Sequence, residues 1–216
     1  MLIRWFAVAL LGLTAACTAQ QPPAPATTET AKEGEHYQLL QPPQPTSSGD
    51  KIEVIEVFGY WCIHCAHFEP AVEKWKKSLP ADVAFSYLPA IFGDGPQEAY
   101  ARAFYTAETL GVLDKTHAGM FKKAAEERSI RSFEDIVNHY VEAGVSRQEF
   151  ESTLTSFVVD GKIARAKQIL PGYQVEGTPT IIINGKYKVH NHKGGPEDTL
   201  RIVDELIARE RAARNP

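Results

Sequence analysis

Cysteine is scarce in this chain. Three cysteines in 216 residues are too few for a disulfide framework to hold the fold. A basic excess is also missing: the formal net charge is −4. No basic stripe with interleaved aromatics occurs, which argues against nucleic-acid binding. The apolar run Trp5–Leu13 is too short to cross a bilayer as a permanent helix. No internal repeat is present. What remains is an apolar content of 44% and a charged content of 23%, the balance of a soluble globular protein. The length suits one ordinary domain, or one domain carrying a large insertion.

The N-terminus carries the features of an export signal over residues 1–17. Arg4 supplies a positive start, Trp5 to Leu13 the apolar region, and Thr14-Ala15-Ala16 the small residues that suit cleavage. Cys17 follows directly. This arrangement resembles the lipobox of bacterial lipoproteins, in which a lipid-modified cysteine becomes the first mature residue. Thr14 stands where Leu is usual, with Leu13 one place earlier. Two expectations follow: a lipid anchor on Cys17, or ordinary cleavage after Ala16 or Ala19 without lipid. Residues 18–35 contain Pro22, Pro23 and Pro25 and no apolar residue larger than Ala. They read as a disordered tether.

The folded part begins with a short edge strand expected within His36–Leu40. Ile52 to Phe58 is a near-continuous β-branched and aromatic run, the mark of a central strand covered on both faces. Glu56 interrupts it and is a candidate buried acid. A helix should run from Cys62 to about Ser78, kinked at Pro70. Val83–Leu88 is the next strand. From Pro96 to Leu170 the periodicity is helical throughout. Ser132 with Asp135, and Ser146 with Glu149, mark capped helix starts. The second of these is expected to carry Phe150, Leu154, Phe157 and Val158 in the core, and a further helix to run from Gly161. Thr180–Ile183 and Lys186–His190 form a hairpin about Asn184-Gly185, the returning strand placed at an edge by its lysines. A last helix opens at Gly194-Gly195-Pro196 and ends rich in arginine, at Arg209, Arg211 and Arg214, which suits the negative end of its dipole.

The chemistry concentrates in Tyr60-Trp61-Cys62-Ile63-His64-Cys65, at a strand-to-helix junction. Two thiols spaced Cys-x-x-Cys there point to reversible thiol–disulfide exchange. A helix N-terminus stabilises a thiolate through its unpaired N–H groups and dipole. Cys62 is therefore the expected nucleophile and leaving group, and Cys65, one turn inside, the resolving thiol. His64 is a second candidate partner for the Cys62 thiolate. Far along the chain, Gly177-Thr178-Pro179-Thr180 precedes a β run. A cis Thr178–Pro179 bond would lay its backbone beside the sulfurs, where an extended substrate could pair by strand addition.

Together these motifs resemble the thioredoxin superfamily, and within it the periplasmic thiol:disulfide interchange proteins of the DsbA family. The resemblance covers about residues 36–210 and rests on Trp61-Cys62-Ile63-His64-Cys65, on Gly177-Thr178-Pro179-Thr180, and on the helical block between them. It implies an α/β thioredoxin fold with an inserted all-helical domain. The thioredoxin-like part would be 36–92 and 172–216, and the insertion 93–171. It implies a periplasmic oxidase that donates disulfides to exported cysteine-containing proteins and is reoxidised by a quinone-linked membrane partner of the DsbB type. It gives Glu56 the role of the acid that moves the Cys65 proton, and places Trp61, Thr178 and Pro179 against substrate. No cofactor and no metal are implied. Three departures stand out: Ile63 where most members have Pro, no Lys or Arg in residues 83–89, and Thr178 where many oxidases have Val.

Two alternatives stay open. An isomerase or reductase of the same superfamily would use the same dithiol. Residues 18–50 are too short and proline-rich for a dimerisation domain, which favours a monomeric oxidase. A metal-binding module could recruit Cys62, Cys65, His64 and His67, with His190 and His192. It lacks a second Cys-x-x-Cys to close a structural site, and Ala66 stands where haem attachment needs histidine.

Overall fold

A computed structural model describes residues 30–93, 95–190 and 193–214. The expected export signal, Cys17, most of the proline-rich tether and His192 lie outside the described residues. The strands are β1 (Gln38–Leu39), β2 (Ile52–Phe58), β3 (Val83–Pro89), β4 (Thr180–Ile183) and β5 (Tyr187–His190). They form one sheet in the order β1-β5-β4-β2-β3. β2 runs parallel to β3 and antiparallel to β4. The crossover between β2 and β3 is helix α1 (Ile63–Lys76).

All seven residues of β2 are buried, because the strand has a neighbour on each side and cover on each face. On one face Ile52 and Val54 join Phe68, Val72 and Trp75 of α1 and Leu200, Ile202 and Val203 of the closing helix α7 (Pro196–Arg214). On the other face Ile55 and Val57 belong to a core that runs without a break through Phe104 and Phe121 to Tyr140 and Phe150. That second core includes α2 (Pro96–Thr109), α3 (Leu113–Phe121), α4 (Phe133–Glu142), α5 (Arg147–Leu154) and α6 (Phe157–Ile169). The helical block is therefore built onto the sheet.

Local chemistry explains most boundaries. Pro96 occupies the first turn of α2, where its missing N–H costs nothing. The Ser132 hydroxyl accepts from the Asp135 N–H while the Asp135 carboxylate accepts from the Ser132 N–H, a reciprocal cap. A π-helical turn over Lys122–Glu126 extends α3.

Three expectations are corrected. β5 is an inner strand, because β1 pairs with its free side. Its Lys188 is buried and donates to the Gln174 carbonyl at 2.8 Å. The helix begun at Ser146 stops at Leu154, since Ser156 caps a new helix by accepting from the Val159 N–H. Phe157 and Val158 then fall on the exposed first turn of α6, with Phe157 90% exposed, and Gly161 lies inside that helix. The packed chain also starts before residue 36. Ala31 is buried, its N–H donating to Glu205 of α7.

Candidate active site

The loop from β2 to α1 places Cys62 as the N-cap of α1, in extended conformation. Its sulfur accepts from the Cys65 N–H at 3.3 Å. The Cys62 thiol donates to the Thr178 carbonyl at 3.3 Å, across 116 positions of sequence. Thr178–Pro179 is a cis peptide, as the sequence suggested, and it opens β4. The Thr180 hydroxyl donates to the Gly177 carbonyl at 2.7 Å, bracing the same turn. Gln41–Pro42 is a second cis peptide, which no motif foretold.

The two cysteines are free thiols of opposite acidity. Cys62 is held down at about 5 by a hydrogen bond from Cys65, which outweighs burial. The Thr178 side chain and the backbone N–H groups of Cys65 and His64 add to the lowering. Cys65, wholly buried, is pushed far above the ordinary thiol range by burial, then by its bond and proximity to Cys62. One thiol is thus ionised at neutral pH and the other keeps its proton. His64 contributes through its backbone, while its side chain lies at an exposed position.

Glu56 is fully buried on the α1–α7 face of β2, and neither of its oxygens has a hydrogen-bond partner among the described residues. Burial raises its pKa well above the ordinary carboxylate value, with the charges of Glu69 and Cys62 adding to this. Enclosure without a partner favours the neutral, protonated carboxyl over the carboxylate. In turn Glu56 raises Cys65.

Trp61 is 37% exposed and meets Phe92 edge-to-face at 6.5 Å. With Pro96, Gln97 and Tyr100 they line an open depression of about 440 Å³. Gly59 has no room for a side chain, since a Cβ would lie 2.6 Å from the Trp61 ring.

Sequence reasoning missed a set of polar groups behind the cysteines. Tyr60, next to Trp61, bonds His117 of α3 at 2.7 Å. His117 lies 3.6 Å from Glu69 of α1, both buried. Tyr87 of β3 donates to both Glu69 oxygens, at 3.1 and 3.2 Å. One signal was available: Glu69 sits between Phe68 and Val72 on the apolar stripe of α1, where a charge is expensive unless partnered. Among the described residues no group of three or more His, Cys, Asp or Glu is placed to hold a metal.

A low-pKa thiol at a helix N-terminus, a buried second thiol one turn on and a cis-proline loop across the sheet define a thiol:disulfide oxidoreductase of thioredoxin type. A family model described as Thioredoxin matches residues 49–205. Proteins named thiol:disulfide interchange protein DsbA are similar over most of their length. The one from Pseudomonas syringae pv. tomato is 41% identical over 187 residues, 86% of this chain and 87% of that one. The one from Azotobacter vinelandii is 35% identical over 185 residues, 85% and 86% of the two chains. Among solved structures, DsbA from Xylella fastidiosa superposes with a TM-score of 0.79 at 36% identity, covering 85% of this chain and all 100% of that one. DsbA from Pseudomonas aeruginosa gives 0.79 at 39% identity, covering 85% and 96%. The chain belongs to the DsbA family of the thioredoxin superfamily.

Proposed function

We propose that this protein is a periplasmic disulfide oxidase acting through Cys62 and Cys65. The observation that carries the reading is the split between the sulfurs, with Cys62 at about 5 and Cys65 far above it. A stabilised Cys62 thiolate favours the reduced enzyme, so the disulfide form is a strong oxidant. A substrate thiolate attacks Cys62 and forms a mixed disulfide, and Cys65 leaves. The substrate chain lies along Thr178 and cis-Pro179, paired by strand addition, with Trp61 beside it. Glu56 gives its proton to the departing Cys65 sulfur. A second substrate thiolate then displaces Cys62, which leaves readily as a thiolate. The His64 backbone N–H supports that thiolate.

The substrates are exported proteins with cysteine pairs. A quinone-linked membrane partner of the DsbB type restores the disulfide. The protein works as a monomer, with residues 93–171 as the helical insertion. Cys17 carries a lipid that ties the protein to a membrane. Mass spectrometry of the mature N-terminus tests the last point, and an unmodified end beyond residue 17 refutes it.

Replacing Cys62 with Ser removes the nucleophile and should abolish oxidation of a reduced peptide. Full activity in that variant would end the proposal. Trapping the thiols in cells separates the roles: mostly oxidised Cys62 and Cys65 mark an oxidase, mostly reduced ones an isomerase or reductase.

A further inference from the structure

His190 has no part in the exchange at Cys62, yet the fold sets it behind the loop that faces the sulfurs. β4 and β5 run antiparallel with Thr180 opposite His190, so the two side chains share a sheet face and meet. Thr180 is wholly buried and His190 half-buried. The Thr180 hydroxyl oxygen lies 2.7 Å from the Gly177 carbonyl oxygen and 3.1 Å from His190 Nδ1. Gly177 stands directly before the cis Thr178–Pro179 bond.

A threonine hydroxyl has one proton to give. The Gly177 carbonyl can only accept, and 2.7 Å is the ordinary length of an O–H···O bond. The Thr180 proton therefore points at Gly177. The Thr180 oxygen then accepts from His190, which must carry its proton on Nδ1. His190, Thr180 and Gly177 form a hydrogen-bond chain with one direction. Run the other way, it would spend the Thr180 proton on His190 and leave the Gly177 carbonyl without this donor.

The Gly177 carbonyl matters through the peptide plane it belongs to. Gly177–Thr178 is trans, so that carbonyl and the Thr178 N–H lie in one rigid plane and point opposite ways. Holding the oxygen aims the N–H. Among the described residues no acceptor is bonded to the Thr178 N–H, while the Thr178 carbonyl faces the Cys62 thiol at 3.3 Å. An N–H and a carbonyl free on one residue are what an added strand pairs with. Thr180 is itself fixed, opposite Val57 of β2 in the ladder.

We propose that His190 is a positioning residue for substrate: through the Thr180 hydroxyl it locks the Gly177 carbonyl and so aims the Thr178 N–H at the incoming chain. This rests on the reading that substrates pair with the Thr178–Pro179 loop, and it names what holds that loop's donor in place. His190 touches neither sulfur nor substrate. Losing it weakens the hold on a peptide and leaves the sulfur chemistry as it was.

The test uses the full chain and its His190→Leu, Thr180→Val and His190→Asn variants. Each oxidises a reduced peptide and, separately, dithiothreitol, which has no backbone to pair. His190→Leu keeps bulk and loses the donor. Its KM for the peptide should rise about threefold to tenfold, the weight of one hydrogen bond, with kcat unchanged, the mark of lost binding alone. Its rate with dithiothreitol should stay at the wild-type value. Thr180→Val should match it, and the double variant should be no worse than either single one, since both break the same chain. His190→Asn restores an N–H at the same number of bonds from the backbone and should restore KM. Nitrogen NMR of the wild-type protein at about pH 8, where an ordinary histidine is neutral, should find the His190 proton on Nδ1. A wild-type KM in His190→Leu would overturn the proposal, as would a proton found on Nε2 alone. Equal losses with peptide and dithiothreitol would also overturn it, because they mark a general distortion. If the wild-type chain has the same KM for the peptide and for its backbone N-methylated form, strand pairing itself fails, whatever the variants do.

Discussion

Cys62 and Cys65 share one helix terminus yet differ in acidity because they differ in donors. Cys62 faces N–H groups and a thiol that all point at its sulfur, while Cys65 faces apolar side chains and a carboxyl group. The strongest support of the Cys62 thiolate is the Cys65 thiol itself. Replacing Cys65 with Ala should therefore raise the Cys62 midpoint clearly above 5, read by thiolate absorbance. His64→Ala keeps the backbone N–H and should move it less. The same depression has a stability consequence. Unfolded, Cys62 titrates near the ordinary 9.0, and folded near 5. A lowered value stabilises the folded reduced chain above the unfolded value, and that stabilisation is lost as pH falls to about 5. The disulfide form has no thiol to titrate. The urea midpoint of the reduced form, taken relative to the oxidised form, should thus rise with pH between about 5 and 8. A flat difference across that window would contradict the assigned acidity.

At the scale of elements, each predicted helix start marked by a cap was found where the sequence put it. Ser132 and Ser146 both accept from the N–H three residues on. Ser132→Ala should cost about 1 kcal/mol of stability, measured by urea unfolding, and leave peptide oxidation unchanged. The strand run Ile52–Phe58, the dithiol and the cis-proline were legible because each depends on local chemistry: β-branching, spacing, and the imide bond. Where sequence failed, the deciding contact was remote. Lysine on β5 suggested an edge, but β1 arrives from the N-terminal arm and covers it. Phe157 looked like core because the break at Ser156 carries no glycine or proline. Glu69, Tyr87 and His117 come from three elements, and only the packing of α3 and β3 against α1 brings them together.

The whole molecule is held partly by its N-terminal arm, which ends in the edge strand β1. From Ala31 to Leu40 the chain crosses α7 and joins β5. Arg209 of α7 donates to the Ala31 carbonyl and to the Tyr37 hydroxyl, and lies over the Tyr37 ring at 5.5 Å. Leu40 is buried and its N–H donates to the Lys186 carbonyl at 2.7 Å. A chain beginning at Gln41 should be less stable than one beginning at Thr30 by about 2 kcal/mol or more, the value of burying one large aliphatic side chain. Urea midpoints of the two truncations test this, and equal midpoints would make the arm dispensable.

The bond from Cys62 to Thr178 also sets a clock. Its two ends lie 116 positions apart, and chains are made at about 5–20 residues per second, from the N-terminus onward. Each new copy therefore carries its dithiol for roughly 6–23 s before the loop opposite it has been made. The strand that follows that loop, β4, is also the inner neighbour of β2, so the sheet completes at the same late moment. Through that interval the nascent catalyst is itself a chain with two unguarded thiols, in the position of the proteins it will later serve.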